Sequence, residues 1–249
     1  MRFGIVTLFP EMFGLVSKFG VVGRACDRGL LRLHLSNPRD FARDRHRTVD
    51  DRSYGGGPGM VMKPGPVVSA LDALRQDLPG AQVIYLSPQG RKLDQEVVAG
   101  FAGQGELILL AGRYEGVDQR VLDHYVDQEL SIGDFVLSGG ELAAMVVVDA
   151  VARLIPGVLG DEQSARADSF SESLLDYPHF TRPAEFQGAL VPQVLLDGDH
   201  AAVARWRRKQ SLGRTELRRP DLLARCSLTE TDRQLLAEYR REREAGRQE

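Results

Sequence analysis

The sequence predicts an α/β protein with a mostly parallel sheet, followed by a small C-terminal all-helical domain. Short, continuous aliphatic segments such as 83–86 (VIYL) and 106–110 (ELILL) are typical of strands buried on both faces. Segments with apolar residues at helical spacing alternate with them, as in parallel sheets. From about residue 171 onwards no strand pattern stands out, which favours a helical second domain.

The first part of the chain predicts two strands and a long connection. Residues 3–9 (FGIVTLF) have the pattern of a buried strand closed by Pro10, and residues 11–19 that of a short helix. Residues 30–35 (LLRLHL) alternate like a strand. The polar, then glycine-rich segment 38–63 is unusually long for a connection, which indicates a functional role.

The middle of the chain repeats a strand–helix pattern, with the two aliphatic strands named above lying between helices. The predicted helices cover residues 63–78, 92–101, 117–124 and 141–155. A polar stretch then marks a change of organisation. We therefore predict a first domain over residues 1–160, a linker over 161–170 and a second domain over 171–249.

The composition excludes several classes of protein. The 249 residues are 43% hydrophobic and 27% charged with a net charge of −3, which is typical of a globular protein and unlike a disordered one. No apolar run approaches the roughly 18 residues of a membrane span. Pro10 and Glu11 interrupt any N-terminal secretory signal. Cys26 and Cys226 are far apart and form no CxxC motif, which favours a reducing cytoplasm.

Glycine-bearing loops follow three points where strands are expected to end. They cover residues 87–90, 111–116 and 132–140. Because ligands of parallel sheets bind beyond the carboxyl ends of the strands, we expect these loops to form one pocket. Glycine allows close approach of the backbone, so the pocket suits a sizeable, mostly neutral molecule. No P-loop, GxGxxG or GxSxG motif is present, which disfavours nucleotide hydrolysis, dinucleotide binding and serine hydrolysis.

Eight motifs stand in order along nearly the whole chain. They are LFPEMF (8–13), DRHRTVDDRSYGGGPGM (44–60), YLSPQGRKLDQ (85–95), AGRYEGVDQR (111–120), IGDFVLSGGE (132–141), IPGVLG (155–160), LLDYPHFTRP (174–183) and RWRRKQSLGRT (205–215). Together they resemble the bacterial tRNA (guanine-N1)-methyltransferases of the SPOUT superfamily. The resemblance implies a deep trefoil knot in the α/β domain and a homodimer whose active site lies at the subunit interface.

The resemblance also implies S-adenosyl-L-methionine as the methyl donor. The positions that match the family's cofactor loops are Tyr85, Leu86, Ser87, Pro88, Gln89, Gly112, Tyr114, Glu115, Ile132, Gly133, Asp134, Phe135, Val136, Leu137, Gly139 and Gly140. Glu115 is expected near the cofactor or the target base, or in a structural salt bridge with Arg113 or Arg120. Whether magnesium takes part stays open, because no ligand cluster stands out in the sequence.

The implied substrate is the guanosine at position 37 of tRNA, just 3′ of the anticodon and preceded by another guanine. By matching position, Asp168 is the general base and Arg153 the arginine that stabilises charge on the guanine O6. The residues alone leave plainer roles open. Asp168 could cap a local turn, and Arg153 could serve the C-terminal end of a helix.

A basic stretch over residues 201–225 carries eight Arg or Lys against two acidic residues, which fits a phosphate-binding surface or a solvated helix face. The positions expected to contact tRNA are Asp50, Pro58, Gly59, Arg205, Arg207, Arg208, Lys209 and Arg214, with Arg218 and Arg219 as further phosphate contacts. Trp206 could stack on a base or belong to the core.

The sequence departs from the family pattern at Phe135, Ala143 and Tyr177, where relatives have Tyr, Pro and Cys. These changes leave the proposed base and arginine in place. Two alternatives stay open: a catalytically inactive tRNA-binding module, and a SPOUT ribose 2′-O-methyltransferase.

Overall fold

The computed structural model describes residues 1–160 and 168–245. The chain forms two compact units, Met1–Glu162 and Gln163–Glu249. Most of the predicted linker 161–170 therefore lies outside the described residues.

The first unit contains seven strands and six helices within its described residues. The strands are β1 (Arg2–Val6), β2 (Arg32–Ser36), β3 (Asp50–Asp51), β4 (Val61–Met62), β5 (Gln82–Lys92), β6 (Glu106–Ala111) and β7 (Gln128–Ser131). The helices are α1 (Phe13–Lys18), α2 (Gly20–Asp27), α3 (Pro64–Asp77), α4 (Gln95–Ala102), α5 (Gln119–Tyr125) and α6 (Glu141–Ala152). Short 3₁₀ turns cover Pro10–Met12 and Pro38–Phe41.

Five of these strands form a sheet in the order β2-β1-β6-β5-β7, and every pairing in it is parallel. The central strand β6 is buried from Leu107 to Ala111 because helices cover both faces of the sheet. One apolar core joins α1, α2, α4 and α6 to the sheet, and the other joins α3 and α5 to it. The α/β class and the parallel sheet predicted from the aliphatic segments are confirmed.

The pairing of β5 with β7 places the first glycine loop. Both Leu86 and Arg91 pair with Leu130, so residues 87–90 leave the ladder and return to it. Gly90 closes this excursion against the backbone of Leu130, where an added Cβ would lie 2.2 Å from the Leu130 nitrogen. The excursion therefore sits over the carboxyl end of the sheet.

Several local predictions are corrected by the structure. The first strand ends at Val6 rather than continuing to Phe9. The Thr7 N–H makes the last bond to β2, at the Ser36 carbonyl, and the Thr7 hydroxyl then accepts the Phe9 N–H before the Pro10 turn. Helix α2 and strand β7 were missed, and β7 (QELS) has polar residues where an aliphatic run was sought. Residues 132–140 form a loop after β7, and the long segment 38–63 contains the small β3–β4 ladder.

The described part of the second unit is built mainly of three helices, α7 (His200–Arg218), α8 (Pro220–Leu223) and α9 (Glu230–Ala245). A 3₁₀ turn over Gln193–Leu195 precedes them. The apolar core of the second unit comprises Leu174, Leu212, Leu235 and Leu236. Charged side chains on α7 and α9 form ion pairs across the helix contact: Arg205–Glu238, Arg208–Asp232, Lys209–Glu242 and Arg240–Glu216.

This unit also holds a hairpin that the sequence did not predict, β8 (Glu185–Phe186) paired with β9 (Ala189–Leu190). Its turn residues Gln187 and Gly188 have φ of 52° and 82°, as a tight two-residue hairpin requires. Two-residue strands leave almost no alternation in a sequence, so the hairpin gave no detectable signal.

Candidate active site

A cleft lies at the carboxyl ends of β5, β6 and β7, and is called the sheet-edge cleft below. The space within it, with the open mouth counted, is about 810 Å³. The three glycine loops predicted to converge do line it together. The predicted residues in its wall are Tyr85, Leu86, Ser87, Pro88, Gly112, Tyr114, Glu115, Ile132, Gly133, Phe135, Val136, Leu137, Gly139 and Gly140.

Two predicted residues lie outside the lining. The Gln89 backbone N–H bonds the Ser87 hydroxyl, which shapes the first loop from outside. The Asp134 carboxylate bonds Lys92 at 2.5 Å, and both side chains are largely exposed. The wall also contains Arg113 and Gly116, which lie in the predicted loop 111–116 but were not named as cofactor positions. Leu130, Ser131 and Ala143 in the wall lie outside the three predicted loops.

Close packing of the loops explains two of the glycines. An added Cβ on Gly112 would lie 2.8 Å from the Tyr85 ring, and one on Gly140 would lie 2.8 Å from the Ala111 Cα. Both distances are below any normal contact, so glycine is required for the loops to meet. The Tyr85 hydroxyl accepts a hydrogen bond from the Val117 backbone, and burial raises the pKa of the phenol, which stays neutral at physiological pH.

The cleft wall contains a buried ion pair. Arg113 donates from Nε to a Glu141 carboxylate oxygen at 2.8 Å, and Thr7 donates its hydroxyl to the other oxygen at 3.0 Å. Glu141 is fully buried at the start of α6. Arg113 and Arg120 therefore pair with Glu141 and Asp118, and not with Glu115 as one interpretation of the sequence had it. The only signal for Glu141 was its place directly after the third glycine loop.

Glu115 instead contacts the long segment 38–63. Its backbone N–H donates to the Met60 carbonyl at 2.9 Å. Its carboxylate lies against Gly59, where an added Cβ would be 2.3 Å from Oε1. Asp50 lies in the same segment, paired in β3 with Met62 of β4. Within the first unit, Gly59 of the predicted tRNA-facing residues thus contacts Glu115 of the predicted cofactor residues.

The two predicted catalytic residues belong to different units. Arg153 follows the last residue of α6, and its backbone N–H bonds the Asp149 carbonyl at 3.2 Å. Asp168 lies in the second unit, where it lines another cleft with Tyr177, Arg207 and Arg208. Three carboxylates and two guanidinium groups thus share one pocket wall, and Arg208 in it already pairs with Glu172.

The predicted phosphate contacts on α7 have unequal environments. Arg205, Arg208 and Lys209 are held in ion pairs with α9. The Arg207 guanidinium lies 4.8 Å above the Tyr177 ring, and Arg214 is half-buried on the same helix. Trp206 is also half-buried, with its ring 6.3 Å from that of Phe180.

A search over residues 1–160 and 168–245 finds no group of three or more His, Cys, Asp or Glu suited to holding a metal. Over the same residues, no helix is both long enough and apolar enough to cross a membrane.

Comparison with known proteins identifies the family. The sequence model of the family described as tRNA (Guanine-1)-methyltransferase TrmD matches residues 1–225. Curated proteins named tRNA (guanine-N(1)-)-methyltransferase from Salmonella newport, Salmonella enteritidis and Salmonella typhimurium are each 59% identical over 243 residues. Each alignment covers 97% of this chain and 95% of the relative. The chain therefore belongs to the tRNA (guanine-N1)-methyltransferase family of the SPOUT superfamily.

Proposed function

We propose that this methyltransferase moves the methyl group of S-adenosyl-L-methionine to N1 of the guanosine at position 37 of tRNA, 3′ of the anticodon. The observation that carries the proposal is the 59% identity with tRNA (guanine-N(1)-)-methyltransferases over nearly the whole chain. The reaction is expected in the cytoplasm.

The sheet-edge cleft fits the proposed donor. Its wall is mainly backbone and apolar side chains, and Gly112 and Gly140 allow its loops to pack closely. Such a wall suits an adenosine read by backbone groups. S-adenosyl-L-methionine supplies an activated methyl group on a sulfonium, ready for in-line transfer to a nucleophile. The loops that hold the cleft together would fix the direction of that transfer.

Guanine N1 carries a proton and is a poor nucleophile until the proton leaves. In the proposed reaction the Asp168 carboxylate takes that proton as N1 attacks the methyl group. The Arg153 guanidinium stabilises the negative charge that develops on O6. The proton moves to Asp168 and the methyl group to N1, while the electron pair of the broken carbon–sulfur bond stays on sulfur and the neutral thioether S-adenosyl-L-homocysteine leaves.

We propose a homodimer with the active site at the subunit interface. The residues assigned to base and charge stabilisation belong to separate units, which is compatible with their coming from two subunits. The first unit also exposes apolar side chains in two of its helices, with Leu142 and Val146 on α6 and Leu15 on α1. A second copy of the chain is the occupant proposed for this surface. We also propose that the first unit contains the deep trefoil knot that the family resemblance implies.

The second unit is proposed to hold the tRNA anticodon stem-loop. Arg207, Arg214, Arg218 and Arg219 are its candidate phosphate contacts outside the α7–α9 ion pairs given above. Of these, Arg219 pairs with the neighbouring Asp221. The segment around Pro58 and Gly59, which abuts Glu115, is proposed to face the target base once it leaves the stack.

A methyl-transfer assay tests the proposal. Labelled S-adenosyl-L-methionine is mixed with a transcript that carries guanine at position 37 and with one that carries adenine there, with and without magnesium. Label is expected on the guanine transcript alone and is expected to fall by at least about 100-fold in Asp168→Asn. Binding of tRNA without transfer by the wild-type chain would favour the inactive binding module instead.

A further inference from the structure

The Arg113 guanidinium joins three parts of the sheet-edge cleft. Its Nε donates to Glu141, its Nη1 donates to the Ser138 carbonyl at 3.1 Å, and its centre lies 4.5 Å from the centroid of the Phe9 ring. Arg113 itself comes from the loop after β6. One side chain thus ties the second glycine loop to the third and to the start of α6.

Contact with Gly139 makes this link tight. An added Cβ on Gly139 would lie 2.2 Å from the Arg113 Nε, and the two residues also form a backbone bridge. The Gly140 N–H bonds the Gly112 carbonyl at 2.8 Å beside it. The third loop therefore packs directly on the arginine side chain, and moving that side chain would move the cleft wall.

Burying this ion pair costs desolvation free energy, so stability alone is a weak reason for its presence. The Glu141 side chain is 1% exposed and that of Arg113 is 20% exposed, so both charges have lost much of their water. Replacing such a pair by apolar residues is often neutral or stabilising for a fold. Arg113 lines the sheet-edge cleft, and this position points instead to a role of the pair in what the cleft binds.

The role that we infer is control of the net charge of the cleft wall. A lone arginine in the wall would repel a cationic ligand, and the proposed donor is a sulfonium cation. Glu141 cancels the arginine charge at 2.8 Å, so the wall keeps the rigid five-donor fork of Arg113 without its field. The demethylated product, S-adenosyl-L-homocysteine, is a neutral thioether of nearly the same shape and would not sense this charge.

We propose that Arg113 is the positioning residue of the donor cleft, and that Glu141 sets its preference between the cationic donor and the neutral product. Arg113 fixes the Ser138–Gly140 wall for both ligands. Glu141 keeps the cationic donor from being repelled. This inference rests on the proposed function, since it takes the sheet-edge cleft as the donor site.

Calorimetric dissociation constants for S-adenosyl-L-methionine and S-adenosyl-L-homocysteine test the inference. Glu141→Gln keeps the shape and the bond to Thr7 but leaves the arginine charge uncompensated. We expect donor binding to weaken about fivefold more than product binding in this variant. Arg113→Lys keeps the charge but loses the fork, so both ligands should weaken by a similar factor. The double variant Arg113→Gln/Glu141→Gln removes both charges of the pair. Its ratio of donor affinity to product affinity should therefore return to that of the wild type.

The outcomes separate the inference from the function. Wild-type protein that binds neither ligand would overturn the donor-site assignment itself. Wild-type binding of both ligands, with equal weakening of the two in Glu141→Gln, would overturn only the role of Glu141. If Glu141→Gln does not fold, the Arg113→Lys and double variants still decide: an unchanged affinity for both ligands in Arg113→Lys, or a double-variant ratio far from wild type, contradicts the proposal.

Discussion

The most buried carboxylate in the contact between α7 and α9 should make the second unit sensitive to acid. Asp232 is 4% exposed and accepts hydrogen bonds from Arg208 at 2.7 and 3.1 Å. The Thr229 N–H and hydroxyl also donate to it, at 3.1 and 2.8 Å. These bonds, that of Arg208 above all, lower the pKa of Asp232 from 3.8 to about 2. The perturbation to test is Asp232→Asn.

The magnitude follows from the pKa difference between the unfolded and folded states. A fall from 3.8 to about 2 corresponds to about 2 kcal/mol of folding free energy. Because the folded pKa is the lower one, this stability is fully present above about pH 4. It is lost as the pH falls towards 2. Asp232→Asn should therefore be about 2 kcal/mol less stable at pH 7, and the two proteins should become equally stable near pH 2.

The assay is urea unfolding between pH 2 and 7, followed by the fluorescence of Trp206, the single tryptophan of the chain. Trp206 lies on α7 and reports on the second unit. Glu230→Gln is the matched control, because that carboxylate is 76% exposed and pairs only within its own helix turn, so a change under about 0.5 kcal/mol is expected. If the free energies of unfolding of Asp232→Asn and wild type differ by a constant amount over the whole pH range, the lowered pKa of Asp232 is not the source of the stability.

Two glycine substitutions test the contacts that shape the first unit. In Gly59→Ala the new Cβ would meet the Glu115 carboxylate at 2.3 Å, and φ is +82°, so we expect methyl transfer, measured as kcat/KM with tRNA, to fall at least about tenfold. In Gly90→Ala the new Cβ would meet the Leu130 backbone nitrogen at 2.2 Å, which cannot swing aside, so we expect a loss of more than about 3 kcal/mol in thermal or urea unfolding.

Matched controls separate these contacts from general effects of alanine. Gly55 also has φ of +82° but no atom within 4 Å of an added Cβ, so Gly55→Ala carries the backbone strain alone. Gly100 lies in α4 with open space around it, and Gly100→Ala should stabilise the protein by up to about 1 kcal/mol. Equal effects in Gly59→Ala and Gly55→Ala, or a well-folded Gly90→Ala, would contradict the assigned contacts.

The sheet could be predicted where side chains alone decide the structure. β5 and β6 are buried on both faces, so their aliphatic runs are visible in the sequence. β7 was missed because only two of its four residues are buried, and those are Leu130 and Ser131. The polar positions of an edge strand carry little information about pairing.

The cleft was predictable in outline and less so in its charges. Glycines after strand ends indicated the three loops, and the structure brings those loops together. The partner of Arg113 was not predictable, because Glu141 lies 28 residues away and meets it only through the folding of the third loop. The family resemblance supplied the proposed roles of Asp168 and Arg153, which local sequence could not distinguish from a cap and a helix end.

The proposed transfer of a methyl group to N1 of guanosine 37 is tested by identifying the methylated atom. After reaction with labelled donor, the guanine-37 transcript would be digested to nucleosides and the labelled product identified by mass spectrometry and chromatography against standards. We expect 1-methylguanosine from position 37 with the wild-type protein, and no 1-methylguanosine with the Asp168→Asn variant. Recovery of 2′-O-methylguanosine, or of label at another position, would contradict it.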